Sequence, residues 1–178
     1  MTVDEPEKIR WSGKFITART RGKWEYVSRA HGIRATVILA IDADDHVLLV
    51  EQYRVPLGRR CLELPAGLVG DDAGAESEDA AQAAGRELEE ETGYRAARIE
   101  VIGEFYSSPG MVSERFTLVR AHGLSKVGPG GGTASEDITV HRVALTALPQ
   151  FVETARARGL GIDVRLLMLL APGIIGRT

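Results

Sequence analysis

The sequence predicts an α+β domain, with helices packed on a mixed β-sheet and a small antiparallel strand pair at the N-terminus. The chain has 178 residues and is 44% hydrophobic, which suits one domain with a substantial core. Apolar and β-branched runs alternate with helical segments, but without the strict strand–helix–strand rhythm of a parallel sheet. Residues 76–92 are rich in Ala, Glu, Leu and Arg, as in a long helix.

The strands are predicted from β-branched and apolar runs that end at turn residues. Residues 11–20 and 23–29 are expected to pair around the turn at Arg21 and Gly22. Residues 33–42 and 46–53 are predicted to form a hairpin, because only a short acidic turn separates them. Further extended segments are expected at residues 61–64, 98–105, 114–121 and 136–144.

Helices are expected at residues 76–92, 148–158 and 162–170. Ser77 is the expected N-cap of the first helix, and Gly93 ends it because glycine readily adopts the left-handed conformation. Residues 67–75 are expected to form a loop, and the glycine-rich residues 126–135 a flexible loop.

Composition and charge exclude several classes of protein. The net charge of -3 provides no basic field for nucleic acid. The single cysteine, Cys61, excludes an intramolecular disulfide and suits a reducing compartment. No early apolar run follows a basic start, and Pro172 and Gly173 interrupt the most apolar stretch, residues 166–175. We therefore expect a cytoplasmic protein that binds neither nucleic acid nor membrane.

An acidic motif, Arg-Glu-Leu-Glu-Glu-Glu-Thr-Gly, occupies residues 86–93. A helix would place Glu87, Glu90 and Glu91 on one face, because they are three and four residues apart. Most acidic helix faces are simply solvated, but this one follows a Pro-Ala-Gly turn and a glycine loop. Mg²⁺ prefers carboxylate oxygens and completes its shell with waters and substrate phosphates, so the pattern favours a divalent-cation site.

The same segment resembles the signature motif of the Nudix hydrolases. Glu78, seven further residues and then residues 86–94 match that motif. The glycine that opens the motif should stand at position 72, which is Asp72. Gly67 is the better match, which implies a five-residue insertion in the loop before the helix.

The resemblance implies an α/β/α sandwich and Mg²⁺-dependent hydrolysis of nucleoside diphosphate derivatives, with Mn²⁺ as a substitute. It implies a catalytic, bracing role for Arg86 paired with Glu78, and structural roles for Gly67 and Gly93. Glu90 is implied to be a further ligand or a catalytic, orienting acid. The implied metal ligands are Ala66, through its carbonyl, with Glu87, Glu90 and Glu91.

Features outside the motif resemble the ADP-ribose pyrophosphatase branch of that family. Pro109, sixteen residues after Gly93, is typical of the branch and is expected to contact substrate. Phe15 and Trp24 are expected to stack on the base, although each is also an ordinary residue for a half-buried strand. Arg54 is expected to bind phosphate, with a surface ion pair as the alternative.

Branch relatives carry a general base in a late loop, which implies Glu136 here, with Asp137 as the second choice. The alternative is that Glu136 simply begins a strand. Residues 161–163 resemble a family signature before the last helix, and we assign them and Arg165 a packing role.

The resulting functional hypothesis is hydrolysis of ADP-ribose or a related ADP-sugar to AMP and a sugar phosphate. A GDP-mannose or other nucleotide-sugar pyrophosphatase is the alternative in the same class. A non-catalytic nucleotide-sensing module is the alternative in another class; the intact acidic motif disfavours it. Residues 1–31 are expected to serve dimerisation and base binding and residues 32–178 to form the hydrolase domain, in a homodimer.

Overall fold

The computed structural model describes residues 5–70, 78–133 and 136–170. In these ranges the α-helices are α1 (Ala80–Glu87), which runs on into a π-helical turn (Leu88–Thr92), and α2 (Leu148–Ala157). Short 3₁₀ segments occupy Ala30–Gly32, Val55–Leu57 and Val164–Leu170. The strands in chain order are β1 (Lys8–Ser12), β2 (Ile16–Arg21), β3 (Trp24–Arg29), β4 (Arg34–Ala40), β5 (His46–Arg54), β6 (Arg59–Glu63), β7 (Ala66–Val69), β8 (Tyr94–Arg95), β9 (Arg98–Tyr106), β10 (Arg115–His122), β11 (Ser125–Lys126), β12 (Thr139–Ala144) and β13 (Gly161–Ile162).

The main strands form two four-stranded sheets. The first has the order β7-β4-β10-β9 and the second the order β12-β5-β6-β13. Each sheet is mixed, because β4 runs parallel to β10 and β6 parallel to β13, whereas the other neighbours are antiparallel. This architecture confirms the predicted fold class of a mixed sheet with flanking helices.

Two hydrophobic clusters hold the layers together. Strand β4 contributes to both, because alternate side chains point to opposite faces: Val37 and Leu39 enter one cluster, Ile38 and Ala40 the other. The first cluster joins the two sheets and α2. The second packs the first sheet against α1 through residues such as Leu88. Burying an aliphatic side chain contributes about 1.5–3 kcal/mol, so these clusters fix α1 on the sheet.

The predicted hairpin of residues 33–42 and 46–53 is wrong. Strands β4 and β5 are joined by a tight turn in which the Asp42 carboxylate accepts the N–H groups of Asp44 and His46. Beyond one bridge, between Ile41 and Val47, the strands diverge into different sheets. Both are apolar on both faces over most of their length, so each is buried within its own sheet between two neighbours.

The N-terminal region has three strands instead of the predicted pair. The Trp11 ring folds over Gly13, where a Cβ would lie 2.3 Å from the ring atom Cη2. The Gly13 N–H donates to the Ile16 carbonyl at 2.9 Å, which closes a turn inside the predicted strand 11–20. The result is the antiparallel sheet β1-β2-β3.

The helix predictions also need correction. Asp79 caps α1, accepting the N–H groups of Ala81 and Gln82, whereas the predicted cap Ser77 lies outside the described residues. The predicted loop at 67–75 begins as strand β7, and its residues 71–75 lie outside the described residues. The predicted last helix is β13 followed by the 3₁₀ segment Val164–Leu170. Within the described ranges, no helix is long and apolar enough to cross a membrane.

Candidate active site

A cavity of about 770 Å³, here called the acidic cavity, opens between α1 and β7 on one side and the β5-β6-β13 end of the second sheet on the other. Three of its six carboxylates, Glu87, Glu91 and Glu136, come from α1, the π-helical turn and the segment before β12. Ala66 and Gly67 line it from β7, and Arg54 lines it from β5. The structure therefore brings together six of the residues that the sequence singled out.

Glu91 is the most deeply buried acid of the motif, with 4% of its surface exposed. Its Oε2 accepts the Ala66 N–H at 3.0 Å. Burial raises the pKa of Glu91 from its ordinary value of 4.5 to about 8, and repulsion from Glu87 and Glu136 adds to the shift. A divalent cation beside the Glu91 carboxylate would stabilise its ionised form. The carboxylate could then serve as a metal ligand despite its burial.

Gly67 explains how Glu87 reaches the cavity. A Cβ on Gly67 would lie 2.0 Å from the Glu87 Cδ atom, so any larger residue here would displace the Glu87 side chain. The glycine thus leaves room for this carboxylate, and no unusual backbone angle is involved. This contact ties the glycine of β7 to the acidic motif across the gap in sequence between them.

Glu90 does not join the other two carboxylates. Its side chain is 41% exposed, contacts Arg86 at 3.4 Å and does not line the acidic cavity. The π-helical turn holds more residues than an α-turn, so the residue three positions after Glu87 is rotated away while Glu91 stays aligned. Within the described residues, no three His, Cys, Asp or Glu side chains form a preassembled metal cage.

Arg86 connects the acidic motif to its supports without lining the cavity. Its guanidinium donates to both carboxylate oxygens of Glu78 at 3.3 Å, to Glu87 at 3.0 Å and to the Leu68 carbonyl at 3.4 Å. The bond from Arg86 lowers the pKa of Glu78. This geometry is that of a brace, which orients Glu87 and joins α1 to β7.

The glycine-rich segment after β11, which was expected to form a flexible loop, caps the π-helical turn. The N–H groups of Gly131 and Gly132 donate to the carbonyls of Glu91 and Glu90 at 2.8 and 3.0 Å. Gly93 has a φ of +72°, and a Cβ there would lie 2.2 Å from the Gly128 carbonyl oxygen. Only glycine allows this approach, so the segment satisfies carbonyl groups that a helix end leaves without partners.

The same segment brings Glu136 to the acidic cavity. The Glu136 carboxylate accepts the N–H and the hydroxyl of Thr133 at 2.8 and 3.0 Å. It lies near enough to Glu91 for the two carboxylates to repel. Asp137 turns away instead and pairs with Arg60 at 2.8 Å. Of the two proposed bases, the geometry favours Glu136.

Three arginines line the acidic cavity, and each is paired with an acid. Arg54 donates twice to Glu63, at 2.7 and 2.8 Å; the pair lies in the cavity and its acid is buried, so it is not the surface ion pair considered as the alternative. The other pairs are Arg29 with Glu114 at 2.7 Å and Arg165 with Asp163 at 2.8 Å.

Sequence reasoning missed Arg29, Glu63 and Glu114 and gave Asp163 and Arg165 only a packing role. Glu63 stands two residues before Pro65 of the Pro-Ala-Gly turn, and this position was the signal that could have pointed to it.

A second cavity of about 650 Å³, here called the aromatic cavity, adjoins the first through Arg29, which lines both. It contains Trp24 and Pro109, two of the residues expected to bind substrate, together with Tyr26 and Tyr106. Phe15 lies outside it, 58% exposed, with the Lys14 ammonium 5.0 Å from its ring centre.

Cys61 lines the acidic cavity but is buried, and burial raises its pKa to about 12. A thiol in that state is a poor nucleophile. The geometry thus supports a site built on carboxylates and guanidinium groups.

Comparison with known proteins identifies the family. Residues 31–156 match the NUDIX domain. A Nudix hydrolase of Schizosaccharomyces pombe described as uncharacterized is 33% identical over 90% of this chain and 80% of its own length. The ADP-ribose pyrophosphatase of Bacillus subtilis is 41% identical over 51% of this chain. The GDP-mannose pyrophosphatase of Citrobacter koseri is 31% identical over 84% of this chain and 76% of its own length.

The chain spans only about half of several other curated relatives, including 46% of the B. subtilis enzyme. A crystal structure of an ADP compounds hydrolase shares the fold, with a TM-score of 0.67, 24% identity and coverage of 93% of this chain and 89% of its own. The match of the domain over most of the chain, and the S. pombe relative, confirm the resemblance carried by the acidic motif. The chain belongs to the Nudix hydrolase family.

Proposed function

We propose that this chain hydrolyses the diphosphate bond of ADP-ribose or a related ADP-sugar, giving AMP and a sugar phosphate. The observation that carries the proposal is the pair of adjoining cavities. One holds carboxylates and arginines suited to a diphosphate, the other holds Trp24 beside Pro109, and Arg29 connects them. The B. subtilis relative supports the choice of substrate.

The residues of the acidic cavity fit Mg²⁺, with Mn²⁺ as a substitute. Its lining includes three arginines and six carboxylates, for a formal net charge of -3, so a diphosphate would meet repulsion without added cations. Glu87, Glu91 and the Ala66 carbonyl would hold the metal; Mg²⁺ commonly uses few carboxylates and fills its shell with waters and phosphates. When bound, the metal would acidify a water molecule and offset phosphate charge.

The side chains have separate tasks in this proposal. Glu136 accepts a proton from the attacking water, and Arg54 and Arg165 hold phosphate oxygens through their planar guanidinium groups. Arg86 orients Glu87. Glu90 acts through Arg86, which it contacts, and is not a direct ligand.

Trp24 gives the sharpest test of the substrate. We expect ADP-ribose to have the highest kcat/KM in a panel with GDP-mannose, ADP-glucose, NADH and dinucleoside polyphosphates, all with Mg²⁺. Trp24→Ala should raise KM more than it lowers kcat, because stacking on the base stabilises the ground and transition states alike. Stacking contributes about 1–3 kcal/mol, so KM should rise roughly 5- to 150-fold.

Tyr53→Ala is the matched control, since Tyr53 is 55% exposed, like Trp24 at 54%, and lines neither cavity. A tenfold preference for GDP-mannose would instead establish the alternative substrate, which the C. koseri relative favours by its longer coverage. Absence of turnover with every compound, combined with tight nucleotide binding, would support the non-catalytic sensor.

We further propose a homodimer in which residues 1–31 serve dimerisation and base binding and residues 32–178 form the hydrolase domain. Strand β1 is exposed along its whole length, and Trp11, Phe15 and Ile16 are all 44% exposed or more. A small sheet of this kind needs another surface to pack against. In the proposed dimer, the exposed Phe15 would be free to contact the aromatic cavity of the second copy.

Deletion of residues 1–29 should yield a monomer with a raised KM. Sedimentation of the full-length and shortened chains at micromolar concentration checks the oligomeric state. A full-length monomer with full activity would contradict both the dimer and the shared site.

A cytoplasmic location completes the proposal and is supported by the single, buried cysteine.

A further inference from the structure

The segment that carries Glu136 is held on both sides. On one side the Ile138 N–H donates to the Gly131 carbonyl at 3.3 Å, which joins it to the glycines that cap the π-helical turn. On the other side Arg60, on β6, donates from Nη1 to the Asp137 carboxylate at 2.8 Å and from Nη2 to the Asp137 carbonyl at 3.2 Å. Arg60 therefore contacts both the side chain and the backbone of the residue next to Glu136.

Arg60 is itself fixed by a buried acid. Glu51 on β5 is 5% exposed, and it accepts Arg60 Nε on Oε1 at 2.9 Å and Arg60 Nη2 on its backbone carbonyl at 2.8 Å. The other carboxylate oxygen of Glu51 is bonded to His141 on β12 at 3.0 Å. Arg60 also donates to the Thr139 hydroxyl at 3.2 Å. Strands β5, β6 and β12 thus hold the guanidinium in one orientation.

The Asp137 side chain is 87% exposed, and neither Asp137 nor Arg60 lines the acidic cavity. An exposed ion pair contributes little to the stability of a fold. Its effect falls on the position of the neighbouring Glu136, which does line the cavity.

We propose that Arg60 is a positioning residue, which holds Glu136 at the acidic cavity by clamping Asp137 to the β5-β6-β12 strands. The inference rests on the proposed hydrolase function for its catalytic consequence. A general base contributes about 10²–10⁴ in rate only when it is within reach of the proton it removes, so a loosened segment loses part of that factor.

Asp137→Ala tests the clamp. It removes the carboxylate partner of Arg60, while Arg60 remains in place to pair with the buried Glu51. We expect kcat for ADP-ribose to fall about tenfold with little change in KM. Hydrogen exchange at the Ile138 amide should become faster. Asp44→Ala is the matched control. Asp44 is 77% exposed and pairs at 2.7 Å with Arg142, which lies on β12 away from the cavity. It should change neither quantity.

A double variant separates positioning from direct participation. In a Glu136→Gln background, Asp137→Ala should cause no further loss of kcat, because both changes act through the same carboxylate. If Asp137→Ala lowers kcat as much in this background as in the wild type, Asp137 acts independently of Glu136 and the proposal is overturned. Exchange at Ile138 that matches the Asp44→Ala control would overturn it as well. If Glu136→Gln keeps the wild-type kcat, the role proposed for Glu136 fails, and the exchange measurement still decides whether Arg60 holds the segment.

Discussion

Glu91→Gln and Glu87→Gln should each lower kcat at least a hundredfold at saturating Mg²⁺ while the fold is retained. Each change removes one of the anionic oxygens proposed to bind Mg²⁺ beside the diphosphate. Steady-state kinetics with ADP-ribose and circular dichroism measure the two parts of this expectation. Near wild-type rates in both variants would contradict the assignment of these carboxylates to the metal.

Glu89→Gln is the control for both variants, because Glu89 belongs to the same acidic run but faces outward. It pairs with Arg95 at 2.8 Å and does not line the acidic cavity. Its loss should leave kcat unchanged. The comparison separates a specific ligand from a general effect of negative charge on this turn.

Glu91→Gln should also stabilise the protein when no divalent cation is present. The pKa of Glu91 is raised from 4.5 to about 8, so between these values the folded state binds more protons than the unfolded state, and stability falls as pH rises. Glutamine removes that loss. At pH 8 in EDTA the shift corresponds to a gain of about 4 kcal/mol, or a rise in Tm of roughly 8–16 °C.

The difference in Tm should be small at pH 5, where Glu91 is protonated in the folded state. Added Mg²⁺ should stabilise the wild type more than Glu91→Gln, because a ligand stabilises the state that binds it. Thermal unfolding of both proteins at the two pH values, with and without Mg²⁺, provides the measurement. A Glu91→Gln variant less stable than the wild type at pH 8 in EDTA would contradict the expected effect of burial.

Gly93→Ala should lower the stability of the domain by at least about 3 kcal/mol, or roughly 6–12 °C in Tm. The left-handed conformation of Gly93 costs alanine about 1–2 kcal/mol. A Cβ there would also lie 2.2 Å from the Gly128 carbonyl oxygen, which is backbone and cannot rotate aside. Activity should fall with it, since the displaced glycine segment also carries Glu136.

Gly159→Ala isolates the conformational part of that cost. Gly159 has a φ of +84°, and a Cβ there would meet nothing within 4 Å. We expect a loss of about 1–2 kcal/mol and unchanged kinetics. Equal destabilisation by the two substitutions would show that the glycine segment gives way easily and does not hold the π-helical turn.

The parts of the site that could be read from the sequence are those that depend on local spacing. The interval between Glu87 and Glu91 places both carboxylates on one side of a helical turn, and Arg86 lies four residues before Glu90, at the spacing that allows the two to pair. The match of Glu78 and residues 86–94 to a long spaced motif identified the family. Helical spacing also placed Glu90 on the face of Glu87 and Glu91, and that expected position was wrong. A π-helical turn changes the angular spacing, and no local signal distinguishes that turn from an α-turn.

Other features depend on which distant segments meet. Strands β4 and β5 carried a sequence pattern that suits a hairpin, but their burial on both faces allowed either a hairpin or separate sheets, and packing of the core decided for the sheets. Arg29, Glu63 and Arg165 are ordinary charged residues in sequence and become cavity residues only because three separate segments end at one place.

By itself, the sequence indicated the family through its resemblance to a long spaced motif and the mixed α+β class through its apolar runs. The spacing of Glu87 and Glu91 indicated that they lie on one side of a helical turn. The tertiary structure decided the location of Glu136 beside them, the adjoining cavity with Trp24 and Pro109, and the glycine cap on the π-helical turn. The physical reason is that backbone hydrogen bonds and ion pairs between segments far apart in the chain depend on the global packing of the sheets, which spacing along the chain does not encode.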